Sequence, residues 1–394
     1  MQMKEADRVK KLSDSMKNVQ HSPIRKMFNM AGSKDNTVNL VLGEPDFSTP
    51  ANIIDASHQA FLAGNTHYTH NSGILSLRKT IAEKFKREQD ISYDPASEII
   101  ITAGAQEALF LTMKVLLDPG DEVILSNPYY SPYINEIVLG GGTPHFVNVY
   151  EENGFVFKYE DIKKAVNKNT KAILLNSPAN PTGGVAGVKE LEGIAEIALE
   201  NDLYVISDDV YQHFLYDDAD FICIASLPGM KERTIVIDSL SKSYAMTGWR
   251  VGYAACSKEL YLNMMHLQEN VMSCVNAGAQ FAAIEAYTGD QKPLEAMIKK
   301  YAERRKLIID GLNRIKGISC RYPKGAFYAF ANIKATGFKS EEFAMKLFED
   351  QGVLLVPGSA FGNAGEGYIR ISFAASEEIL SEGLDRIDRF VNRN

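Results

Sequence analysis

Ser239-Leu-Ser-Lys242-Ser-Tyr-Ala-Met-Thr-Gly248-Trp-Arg250-Val-Gly252-Tyr253 follows directly on an apolar, β-branched run over residues 234–237. The run reads as a buried strand, so Lys242 is delivered to a strand's C-terminal edge, where open α/β sheets hold their ligands. An ammonium planted there is costly unless it is paired, or unless its charge is removed by a lowered pKa or by chemistry such as Schiff-base formation. Ser239 and Arg250 add a neutral donor and a guanidinium that can hold an anion beside it.

The chain around this stretch has 394 residues, too many for one ordinary core, so two domains are expected. Its 42 Lys and Arg against 50 Asp and Glu give a net charge of −8, which removes any general attraction to nucleic acid or an anionic membrane. Cys223, Cys256, Cys274 and Cys320 are scattered, without a C-x-x-C or a histidine cluster, and read as small buried residues of a reducing compartment rather than metal ligands. The first residues are charged and lack an apolar core, and no run reaches the ~18 apolar residues of a membrane span. A cytoplasmic protein with no membrane partner is the expectation.

Residues 1–20 read as an exposed, partly helical lead-in and 22–31 as a short helix with Pro23 in its first turn. Residues 38–47 read as an apolar strand broken at Gly43, where glycine lets backbone approach a ligand and Pro45 blocks continuation. Helical and strand-like segments then alternate, the pattern of βα units on a largely parallel sheet, with strands at 99–102, 122–125, 172–175, 203–206 and 234–237 and one around Phe146. Neither G-x-G-x-x-G nor G-x-x-x-x-G-K-[ST] occurs, which disfavours nicotinamide and P-loop nucleotide enzymes. A charged helix over 294–315 is expected to bridge to a smaller α+β region with strands at 327–333, 352–356 and 368–373 and helices at 340–350 and 376–392. The division reads as 1–47, an N-terminal segment belonging with the smaller domain; 48–289, the large domain; and 290–394, the bridging helix and small domain.

Further motifs sit at strand ends in order: Ala103-Gly-Ala105-Gln106 before a helix, Asn127-Pro-Tyr-Tyr130, Asn176-Ser-Pro-Ala-Asn180-Pro-Thr-Gly183, Asp208-Asp-Val-Tyr211 and Tyr368-Ile-Arg370. Together with Ser239, Ser241, Lys242, Gly248, Arg250, Gly252 and Tyr253, this series resembles the fold-type I aminotransferases of class I/II, which use pyridoxal 5′-phosphate. The resemblance runs from about Val38 to Arg370. It implies an α/β fold with a mostly parallel central sheet and a smaller α+β domain, a homodimer, and no metal.

The resemblance also implies roles. Lys242 is the Schiff-base lysine and the catalytic acid and base; Ser239, Arg250 and the loop at Ala105 and Gln106 hold the phosphate. Asp208 keeps the ring nitrogen protonated, which makes the ring an electron sink; Asp209 competes for this part, and the spacing to Tyr211 favours Asp208. Tyr211 and Asn180 bond the phenolic oxygen, and Tyr130 supplies the flat surface, leaving Tyr129 and Tyr133 as packing residues. Arg370, expensive on an apolar strand without an anionic partner, takes the substrate carboxylate with the Gly43 backbone as second contact; an internal salt bridge is the competing reading. Tyr68 reaches the phosphate of the neighbouring subunit.

The implied reaction is amino transfer from an L-amino acid to a 2-oxo acid such as 2-oxoglutarate; a C–S β-lyase on the same scaffold is the alternative. A cofactor-sensing regulator would need an appended DNA-binding helix pair and basic surface, which the short lead-in and net acidity do not supply. Aspartate-using relatives place a lysine where this chain has Gln106, or use an arginine from the partner subunit, and residues 270–280 contain no Lys or Arg. Aromatic and other uncharged donors are therefore expected over aspartate, with Gln106 or Asn276 admitting 2-oxoglutarate. Arg25 is the residue that could reverse this by meeting an acidic substrate.

Overall fold

A computed structural model describes Met16, Lys17, Val19, His21, residues 23–30, Lys34 and residues 36–393; the expected lead-in lies almost wholly outside these. Its centre is a seven-stranded sheet in the order Ile99–Thr102, Gly252–Ala255, Thr234–Ser239, Tyr204–Asp208, Thr170–Asn176, Glu122–Asn127, Thr143–Asn148. Every pair is parallel except those made by Gly252–Ala255, which runs against both neighbours.

The sequence dictates this arrangement through uninterrupted apolar strands, which suit a sheet covered on both faces. Successive residues go to opposite sides: Ile99, Ile101, Ile124, Ile173 and Val236 join one core, while Ile100, Val123, Leu125, Leu174 and Ile237 join the other. The strand Gly252–Ala255 was not expected, because its residues read as the tail of the lysine motif. Its register places Gly252 opposite both Ser239 and Thr102. A Cβ at Gly252 would lie 2.8 Å from the Asp238 carbonyl oxygen and 2.9 Å from Ala105 N, so only glycine lets the two strand ends approach this closely.

Two smaller sheets lie elsewhere: Val356–Pro357, Tyr368–Ser372 and Tyr328–Asn332 form one, antiparallel throughout, and Val38–Asn39 pairs parallel with Val353–Leu354 in the other. Two sequence expectations change here. The strand expected over 38–47 is only Val38–Asn39, because from Leu40 the backbone divides its hydrogen bonds between sheets: Leu40 N donates to Leu354 O and Leu40 O accepts from Ser372 N. The strand expected over 352–356 is split, its halves serving different sheets on either side of Leu355. Cys223, Cys256 and Cys320 are buried as expected, while Cys274 is partly exposed.

The charged helix runs Lys292–Leu312. From it Arg304 grips Asp46 with two bonds of 2.7 and 2.8 Å and lies over the Phe47 ring, which fixes the loop that carries Gly43. Among the described residues no helix is long and apolar enough to cross a membrane, and no cluster of His, Cys, Asp or Glu could hold a metal ion.

Candidate active site

The ends of the parallel strands meet at one edge, and a cavity of about 450 Å³ opens there. It is lined by Gly43, Ala105, Gln106, Tyr130, Asn180, Asp208, Tyr211, Ser239, Lys242, Arg250 and Arg370. These are the residues singled out in the sequence, save Tyr68, which lies outside the cavity and is 91% exposed. Asn276 also lies elsewhere, capping the helix Ala277–Thr288 by accepting from Ala279 N.

Lys242 sits on a single helical turn, Leu240–Ser243, that begins where the Thr234–Ser239 strand stops. Its Nζ donates to the Gly43 carbonyl at 2.7 Å. Burial pushes its pKa down to about 8, with Glu44 opposing and Arg250 and Arg370 assisting. A Cβ on Gly43 would fall 1.7 Å from Tyr328 Oη, so this loop can lie across the site only as glycine.

An anion cradle stands at one end. The helix Ala105–Leu116 presents its first N–H groups there, and the Glu107 carboxylate accepts from Ala103 N at 2.5 Å, which fixes the turn. Arg250 has φ of 53° and bonds the carbonyls of Ala103 and Thr247 at 2.9 and 3.0 Å, so its guanidinium is held beside the helix start. A Cβ at Gly104 would come within 2.7 Å of Arg250 Nη2; glycine there admits the guanidinium. Ser239 and Ser241 line the same cavity.

The floor holds the carboxylate. Asp208 ends the Tyr204–Asp208 strand and lines the cavity; burial raises its pKa to about 6, against the hydrogen bond from Tyr133. Asp209 accepts from Ser207 Oγ at 2.6 Å outside the cavity lining, and burial lifts it to about 8, so spacing to Tyr211 chose the cavity-lining member of the pair. Tyr133, expected only to pack, donates its hydroxyl to Asp208 Oδ2 at 2.6 Å. Asn176 was passed over as well: it donates to the Asp208 carbonyl at 3.0 Å and accepts from Asn180 N at 2.9 Å, tying two strand ends together.

Arg370 is 1% exposed on the Tyr368–Ser372 strand. It bonds Asn180 Oδ1 at 3.1 Å and the Val41 carbonyl, stacks over Tyr328 and Phe361, and keeps a buried Nε with no partner. No carboxylate pairs with it among the described residues, which removes the internal salt bridge as an account of its burial. Tyr328, which the sequence placed within the expected strand over 327–333, shares a 2.7 Å hydrogen bond with the Tyr211 hydroxyl and lines the cavity. The alternation of Tyr328 and Phe330 on one strand, Phe330 opposite Arg370 and Tyr328 opposite Ser372, was the available signal.

Residues 35–387 match the family model for aminotransferase class I and II, and the chain belongs to that family. An aspartate aminotransferase of Pyrococcus abyssi is 43% identical over 380 residues, covering 96% of this chain and 97% of that protein. Aromatic-amino-acid aminotransferase 2 of Thermococcus litoralis is 41% identical over 380 residues, with 96% and 97% covered. The crystal structure of an aromatic aminotransferase from Pyrococcus horikoshii aligns with a TM-score of 0.89 at 41% identity, covering 93% of this chain and 99% of that one. The protein is accordingly a pyridoxal 5′-phosphate-dependent aminotransferase of fold type I. The donor set fits that cofactor: an anion cradle, an amine of lowered pKa, a buried carboxylate and two hydroxyls meet in one cavity.

The lowered pKa of Lys242 is directly testable on the cofactor-free protein. Reductive methylation at Lys242, followed by peptide mass spectrometry, should accelerate with pH, reach half its plateau near pH 8 and level off above it, because only the neutral amine reacts. A rate still climbing in the range of an ordinary lysine would contradict the placement of this amine.

Proposed function

We propose that this aminotransferase draws amino groups from L-amino acids with aromatic or other uncharged side chains and passes them to 2-oxoglutarate or a similar 2-oxo acid. The preference among side chains rests on the wall around Gln106; the observation that carries amino-acid binding is Arg370, a buried guanidinium on the cavity wall with no carboxylate partner among the described residues. Leaving such a charge unpaired costs several kcal/mol, and an α-carboxylate, common to every amino acid, repays it. Arg370 then binds the donor while Lys242 Nζ takes the proton from its Cα, a task suited to a base with a pKa near 8.

Lys242, Arg250, Ser239 and the start of the Ala105–Leu116 helix would hold the cofactor; when bound it supplies an electron sink for the pair left at Cα. Asp208 is the anionic partner for its ring nitrogen, oriented by Tyr133 and Asn176. Tyr211 and Asn180 would hold its phenolic oxygen, and Tyr130 would pack on its ring. The large body over 48–289 and the remaining segments act as two lobes around this site, and exposed Tyr68 reaches the site of a second subunit in a homodimer.

For the side chain, Ile24, Leu109, Tyr130 and Pro132 offer apolar cavity wall. Gln106 stands where the resemblance puts the lysine of one group of aspartate-using enzymes, and it donates to the buried Glu136, which sets a carboxyl behind that wall. A second substrate carboxylate would face that acid, with Arg25 as the cavity-lining cation outside the roles above. Relatives bearing both the aspartate and the aromatic names leave either preference compatible with descent.

Specificity constants for phenylalanine, tyrosine and aspartate with one common acceptor test the reading. The aromatics should equal or exceed aspartate; an aspartate value about tenfold above both, roughly 1.4 kcal/mol in transition-state binding, rejects it. Separately, Asp208→Asn should fold, bind cofactor and slow Cα deprotonation severely, whereas Asp209→Asn should be mild. The reverse order would move the ring partner to Asp209.

A further inference from the structure

Glu136 is a buried acid that the transfer reaction does not use. It lies on the helix Pro132–Gly140, 8% exposed, and its Oε1 accepts from Gln106 Nε2. Its Oε2 is buried with no hydrogen-bond partner among the described residues. Gln106 is therefore shared between two environments, Glu136 behind it and the cavity in front.

The chemistry of the pair is asymmetric. A carboxylate can only accept, so ionised Glu136 holds the amide with Nε2 turned toward it. The amide oxygen, which takes no hydrogen bond among the described residues, is then left to the cavity. A carboxylic acid can instead donate, and its best acceptor here is that same amide oxygen. Rotation of the amide by half a turn makes that bond and presents the NH₂ group to the cavity.

We propose that Glu136, through the orientation of the Gln106 amide, sets whether the side-chain end of the cavity offers an acceptor or a donor, and so couples acceptance of a second substrate carboxylate to the protonation of Glu136. Resting on the reading that Gln106 faces the substrate side chain, this assigns Glu136 as a positioning residue for specificity. With Glu136 ionised, the exposed amide oxygen repels a distal carboxylate and suits a phenol O–H or an apolar ring. With Glu136 protonated, the NH₂ group can bind the distal carboxylate of 2-oxoglutarate.

The surroundings leave Glu136 free to titrate in the working range. Burial raises its pKa to about 7 and the Gln106 bond works against this. The titratable groups on the packed elements are otherwise engaged or distant: Glu107 accepts from Ala103 N, Lys114 is exposed, and His145 on the Thr143–Asn148 strand bonds Glu122 at 2.9 Å. Tyr133 on the same helix donates to Asp208, and neighbouring Tyr130, coupled to Glu136, has its own ionisation pushed well above neutrality. No cation neutralises Glu136 among the described residues, so desolvation is opposed by a single amide bond.

The test is binding of two unreactive acids to the holoenzyme by calorimetry: glutarate, which carries a second carboxylate, and pentanoate, which does not. Taking the ratio of their dissociation constants cancels every titration common to both. In the wild type the ratio should shift against glutarate by about tenfold between about pH 6 and about pH 8, as linkage to one group titrating near 7 requires. Glu136→Gln, a neutral donor and acceptor at every pH, should flatten that dependence. Gln106→Leu should flatten it too, while weakening glutarate at the acid end. A flat wild-type ratio, or an unchanged slope in Glu136→Gln, overturns the coupling. If Gln106→Leu alters neither acid at any pH, the placement of Gln106 against the side chain has failed instead, and with it the specificity reading on which this inference rests.

Discussion

Everything in the cavity depends on an imbalance of charge. Arg25, Lys242, Arg250 and Arg370 line it against Glu44 and Asp208. Arg25, Glu44 and Arg250 reach solvent, whereas Lys242, Asp208 and Arg370 are withdrawn from it, and the fold meets that desolvation cost in different ways. Lys242 yields part of its charge through a lowered pKa, Asp208 is held by Tyr133, and Arg370 leans on two aromatic faces and neutral oxygens. The guanidinium of Arg250 at one end of the cavity suits a phosphate, and the buried guanidinium of Arg370 at the other suits a substrate carboxylate. The apparatus around it, from the Gly104 and Gly252 close contacts to the Arg304–Asp46 clamp, holds those cations where anions can reach them.

Much of this was legible in the sequence because the chemistry is local to strand ends. A parallel sheet needs continuous apolar strands, so the residues after each run are at the ligand edge; Ser239 and Lys242 are placed there by that argument, while choosing Asp208 over Asp209 needed the family resemblance and the spacing to Tyr211. What escaped was what depends on register between distant segments. Tyr133 and Asn176 meet Asp208 through three-dimensional packing that no spacing encodes. Tyr328 reaches Tyr211 across 117 positions of chain. The Gly252–Ala255 strand was hidden because it is small and glycine-containing, and its place in the sheet is set by its antiparallel neighbours rather than by its own propensity. The strand expected over 38–47 failed for a related reason: its apolar residues are buried, yet its backbone bonds are divided between two sheets.

The specificity proposed for Gln106 draws on the same two helices that serve the cofactor side, Ala105–Leu116 and Pro132–Gly140. The cofactor-facing groups are otherwise fixed by strand ends and short turns, and the cavity wall around Gln106 is backed by the Pro132–Gly140 helix and its buried acid. Relatives at similar identity are named for aspartate and for aromatic amino acids.

The central claim is that Lys242, among the lysines of this chain, holds the cofactor covalently in the strand-edge cavity. Borohydride reduction of the holoenzyme followed by peptide mass mapping tests it most directly. The account predicts one phosphopyridoxyl group per chain, on the peptide containing Lys242, and none on the Lys242→Arg protein. A label on another lysine, or an equal yield from the Lys242→Arg protein, would contradict it.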